Sequence, residues 1–116
     1  MDSPEIHNMT LLSQDTLVGF GGMGEGISMQ IAPDGRRMLW LAHESAPKNF
    51  TGVDVSDPRK PKVVVQTDLP VMEMRSNSLE VTGDIMAVAY QTPGVNMEKV
   101  GVELFDLSTP EEPKSI

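Results

Sequence analysis

Apolar residues come in short runs along this chain, and polar turn-formers punctuate them. Runs at 27–32, 38–42, 51–55 and 62–66, and again at 78–82, 85–90 and 102–107, are bounded by Gly, Pro, Asp or Asn. Short runs at roughly ten-residue spacing, with turn signals between them, predict an all-β protein. Nowhere do apolar residues hold a period of about 3.6 through three turns without Gly or Pro interrupting, so no helix is predicted. Met38-Leu39-Trp40-Leu41-Ala42 and Ile85-Met86-Ala87-Val88-Ala89 are continuous in apolar residues, as in a strand covered on both faces. They are the predicted central strands.

The runs fall into two copies of one unit. Asp54-Val55-Ser56-Asp57-Pro58-Arg59-Lys60-Pro61 has the same spacing of residue types as Asp106-Leu107-Ser108-Thr109-Pro110-Glu111-Glu112-Pro113, 52 positions later. Upstream, Ser28-Met29-Gln30-Ile31-Ala32 pairs with Ser78-Leu79-Glu80-Val81-Thr82, and 38–43 pairs with 85–90. The offset drifts from 50 to 47 to 52, which confines the length differences to turns, where a repeated β unit tolerates them. Each unit is therefore predicted as four strands, the last of the second copy truncated near 114–116. The prolines cannot donate to a ladder and preset φ, and Asp54 and Asp106 are placed to accept backbone N–H groups at the corner. This divides the chain into an N-terminal segment (1–26), a first unit (27–67) and a second unit (76–116).

Val53-Asp54-Val55-Ser56-Asp57-Pro58 with Pro61, and Leu104-Phe105-Asp106-Leu107-Ser108 with Pro110 and Pro113, resemble the third-strand exit of LVIVD-repeat β-propellers, a largely bacterial and archaeal family. In this comparison Gly52 stands where the second copy has Phe105. The resemblance spans about residues 27–116 and implies two four-stranded antiparallel propeller blades, the second incomplete. Ring closure takes about four to eight such sheets. The chain is thus expected to be part of a larger or oligomeric propeller, its partners the remaining blades or further copies of itself. Residues 9–12 are then expected to be an outer strand that closes a blade.

Charged residues make up 22% and apolar residues 39%, a globular composition. The formal net charge is −8, with acidic residues spread along the chain, which argues against nucleic acid as a partner. No apolar run is long enough to insert in a membrane. Residues 1–5 carry no basic and apolar leader, which predicts a cytoplasmic location, or a periplasmic or secreted one should the natural start lie upstream. There is no cysteine, hence no disulfide, thiolate metal site or Cys nucleophile.

Candidate chemistry follows from the resemblance: propellers bind ligands near the start of the innermost strands, here 24–28 and 74–78. Aligning the units sets Glu25 against Arg75, opposite charges at the channel mouth, with Asn77 beside them. A carboxylate and a guanidinium there suit a polar ligand or an ion pair between blades. His43, followed by Glu44, ends the second strand and is the candidate metal or general-base residue. Adjacent strand residues point to opposite faces, and the chain has only two histidines, so no metal site is assigned and no cofactor is named. The glycines at 19, 21, 22, 24 and 26 lack a following Gly-Lys-Ser/Thr and a following helix, and read as a mobile connector into the first strand. Two functions remain in view. One is a non-enzymatic binding or assembly module. The other is the N-terminal part of a propeller enzyme, a metal-dependent oxidoreductase or hydrolase with its site at the channel.

Overall fold

The computed structural model describes residues 7–19, 22–92 and 100–116. They contain eight strands: β1 (Met23–Ile31), β2 (Arg37–His43), β3 (Lys48–Asp54), β4 (Lys62–Asp68), β5 (Arg75–Thr82), β6 (Ile85–Gln91), β7 (Gly101–Asp106) and β8 (Lys114–Ser115). These form two four-stranded sheets, each antiparallel and in chain order, with no helix among the described residues. The all-β expectation holds, and each strand predicted for the two units lies on an observed one.

The corner phrase closes the β3–β4 and β7–β8 loops by the same bonds. Asp54 Oδ1 accepts the Ser56 N–H at 2.9 Å, and Asp106 Oδ1 accepts the Ser108 N–H at 2.8 Å. Backbone bonds from Lys60 N to Asp57 O and from Glu112 N to Thr109 O complete the two turns. The bonds from Ser56 and Ser108 hold both aspartates below the ordinary carboxylate range.

Pairing registers correct the alignment of the two units. Val55 N donates to Arg37 O and Leu107 N donates to Asp84 O, so Arg37 corresponds to Asp84 and Trp40 to Ala87. Ser28 pairs with Trp40 and Glu80 with Ala87, so Ser28 corresponds to Glu80 rather than to Ser78. The slip of two arises because the paired residues Ile31 and Arg37 correspond to the turn residues Gly83 and Asp84, which are adjacent, so all five residues 32–36 are extra in the first unit and the offset changes by five, from 52 to 47. By the same registers Gly52 corresponds to Leu104, not to Phe105. That pairing has a packing reason: Trp40 sits opposite Gly52 and Ala87 opposite Leu104, one large and one small residue each time. A Cβ on Gly52 would stand 2.6 Å from the Trp40 ring.

The sheets stack face to face. Met38, Trp40, Ala42 and Phe50 of the first bury against Leu79, Val81, Met86, Val88 and Phe105 of the second. Phe50 takes both Trp40 and Phe105 edge-on, with ring centroids 5.8 Å and 5.0 Å away. Gln30, also buried, bridges the junction: its Oε1 accepts from Trp40 Nε1, and its Nε2 donates to Leu107 O and Asp84 Oδ1. Because Trp40 corresponds to Ala87 and Ile27 to Leu79, the front of one sheet meets the back of the other. The open face of the second sheet is therefore a front, and that of the first a back. This explains why β6, predicted to be covered on both faces, is covered on one: Ile85 and Ala89 are exposed.

Two expectations change at the N-terminus. Residues 9–12 form no strand, and Met9, Leu11 and Leu12 are exposed. The segment instead lies on the back of the first sheet, where Leu17 buries with Leu41 and Val53 and its carbonyl accepts from Gln66 Nε2. The glycine-rich stretch is not only a connector, since Met23–Ile31 is strand; Phe20 and Gly21 lie outside the described residues. Gly24 and Gly26 let β1 approach β5 closely: a Cβ on Gly26 would stand 2.4 Å from Leu79 N.

Candidate functional site

Close approach of β1 and β5 brings the starts of these strands together beside the end of β2. There a cavity of about 160 Å³ is lined by Met23, Gly24, Glu25, Glu44, Arg75 and Asn77. Three of the four sequence candidates, Glu25, Arg75 and Asn77, thus share one cavity. Glu44, Ser45, Arg75 and the Met72–Met74 segment line an adjoining cavity of about 230 Å³. Glu44 and Arg75 form the wall common to both.

Arg75 is held within its own sheet. Its Nε and Nη2 donate to Gln91 Oε1 at 3.2 and 2.9 Å, and its Nη1 lies 3.8 Å from Glu44 Oε1. The charge pair between the units therefore joins Arg75 to Glu44 rather than to Glu25. The registers show that Arg75 does not stand opposite Glu25: Met23 pairs with His43 and Ser76 with the corresponding Tyr90, so Arg75 corresponds to position 22, and Glu25 and Asn77 both fall in the bulges that follow. Glu44 and Gln91 are the residues that sequence reasoning did not assign to the site. The visible signal was their matching place, each just after the last apolar residues of a second strand. One guanidinium faces two carboxylates across the smaller cavity, an arrangement suited to a polar ligand that offers hydrogen-bond donors.

His43 does not join this group. It is fully buried at the end of β2, with Nδ1 2.9 Å from Gly22 O and Nε2 2.6 Å from Thr51 Oγ1. A carbonyl only accepts, so Nδ1 carries the proton; Nε2 then accepts from the Thr51 hydroxyl, which itself accepts from Gln66 Nε2 at 3.0 Å. A neutral imidazole satisfies every bond in that chain. Burial lowers the His43 pKa below its ordinary value, outweighing the Gly22 carbonyl, and Lys48 lowers it further. Among the described residues no three His, Cys, Asp or Glu side chains converge on a point.

A second polar network ties the sheets together. Asn49 Nδ2 donates to Tyr90 Oη at 2.9 Å, and Tyr90 Oη donates to Glu103 Oε1 at 2.5 Å. The Ser76 hydroxyl donates to the Asn49 carbonyl and accepts from the His43 backbone N–H. Burial, then the Glu103 carboxylate, pushes the Tyr90 phenol well above its ordinary pKa. Among the described residues Asn49 Oδ1 is buried without a hydrogen-bond partner. No helix of the described residues is long and apolar enough to cross a membrane. Comparison of the chain with protein-family models and with curated proteins finds no match.

Proposed function

We propose that the two sheets are blades of a β-propeller and that the chain is a binding and assembly module. The observation that carries this reading is the front-to-back stacking of two copies of one four-stranded unit, innermost strand against innermost strand. Each blade then offers one face to the next, and ring closure covers faces that a pair alone leaves in water. On this reading the cavity of Glu25, Glu44, Arg75 and Asn77 lies at the mouth of the central channel and recurs with each further pair of blades.

A second reading rests on that cavity itself: an enzyme whose channel-mouth site includes these residues and is completed by further blades. Its hallmark is turnover that Arg75→Ala abolishes without changing the fold.

The module reading is tested by light scattering and far-UV circular dichroism on one sample. A β-rich spectrum, a cooperative melt and a discrete mass are expected. A spectrum without β content, or a continuous spread of masses, overturns the closed-ring reading.

A further inference from the structure

We infer that copies of this chain dock head to tail, the open front of the second sheet seating on the open back of β1 in the next copy. This rests on the assembly reading and names its partner as a second copy of the chain. The internal junction is the template. There β5 is the strand that meets the first sheet, chiefly along β1, through Leu79 and Val81, which are 5% and 9% exposed. Their counterparts on β1, Ile27 and Met29, are 60% and 51% exposed. The N-terminal segment covers Leu41 and Val53 on that same back and leaves these β1 positions open.

The other half of the pairing is also open. The front of the first sheet buries Trp40, Ala42 and Phe50, whose counterparts on the second sheet are Ala87, Ala89 and Val102. Val102 is 69% exposed and its neighbour on that face, Leu104, is 44% exposed. Apolar residues grouped on one face in this way mark an interaction surface. Such a pairing joins two different patches and is heterologous, as the internal junction is.

The test uses two variants of the full chain, Met29→Asp to block the back and Leu104→Asp to block the front. Ile27→Asp and Val102→Asp, on the same two faces, replace either one if it lacks the wild-type far-UV spectrum. Wild type is expected to scatter as a multiple of the 12.6 kDa chain mass. Each variant alone is expected to be monomeric, and an equimolar mixture to form a pair through the two unblocked faces. A variant that keeps the wild-type mass, or a mixture that stays monomeric, overturns the proposal. So does a wild type that is β-rich and monomeric, a result that leaves the blade reading standing. A spread of wild-type masses that either variant collapses to monomer supports the docking and overturns ring closure.

Discussion

Replacing Gly26 by alanine tests the packing argument at its tightest point. The added Cβ would stand 2.4 Å from Leu79 N and 2.9 Å from two Ser78 backbone atoms, whereas ordinary contact begins near 3.4 Å. The obstruction is therefore about 1 Å deep, and it is backbone of the opposing sheet, which has no rotamer with which to move aside. Gly26 does not lie in the left-handed region, so the cost is steric and not conformational. Overpacking of this kind costs about 2–3 kcal/mol. The reduced freedom of the unfolded chain returns about 0.4–1 kcal/mol. The net loss is about 1–2.6 kcal/mol, or about 4–10 °C in Tm at about 4 °C per kcal/mol for a chain of this size. Gly24→Ala is the internal control: its Cβ meets Asn77 O and Ser76 O at 3.2 Å, so the two opposing effects nearly cancel and Tm moves by about 2 °C or less. Thermal melts followed by circular dichroism, at matched concentrations so that association does not bias Tm, make the measurement. A Gly26→Ala Tm at or above wild type, or equal shifts for both variants, would refute the close approach of β1 to β5.

Gln30→Leu should destabilise by about 2–3 kcal/mol, because it strands the Trp40 N–H and the Leu107 carbonyl in the junction; urea titration followed by the single tryptophan reads it. His43 is held neutral by burial, with a folded pKa below the unfolded one, so its contribution is complete above the unfolded value and is lost as pH falls through the folded one. Urea midpoints should therefore decline between about pH 7 and about pH 5, and the decline should be shallower in His43→Gln. The Arg36–Glu111 pair is exposed, and a double-mutant cycle with Arg36→Gln and Glu111→Gln should return a coupling of about 1 kcal/mol or less, reduced further by salt. A larger coupling that resists salt would contradict the solvent-screened geometry.

The spacing of apolar runs and turn residues was enough, by itself, to place all eight strands in two copies of one unit. A period of two and a Pro-bounded corner are local properties, and Asp54 and Asp106 act within two residues of themselves. The grouping of Glu25, Arg75 and Asn77 was legible for a similar reason, since equivalent positions of a repeat fall at the same end of each sheet. What the chain did not show was which residues meet. A two-residue slip between β1 and β5 is invisible to alignment, because it depends on how tightly each hairpin turns. Tertiary packing alone decided that slip, and with it the choice of Glu44 as partner for Arg75. It also turned His43 into the interior, where Gly22 and Thr51 take both ring nitrogens. Likewise the glycines that read as a mobile connector became the close contact between sheets, because a missing Cβ states only that room is available and the neighbouring strand determines what fills it.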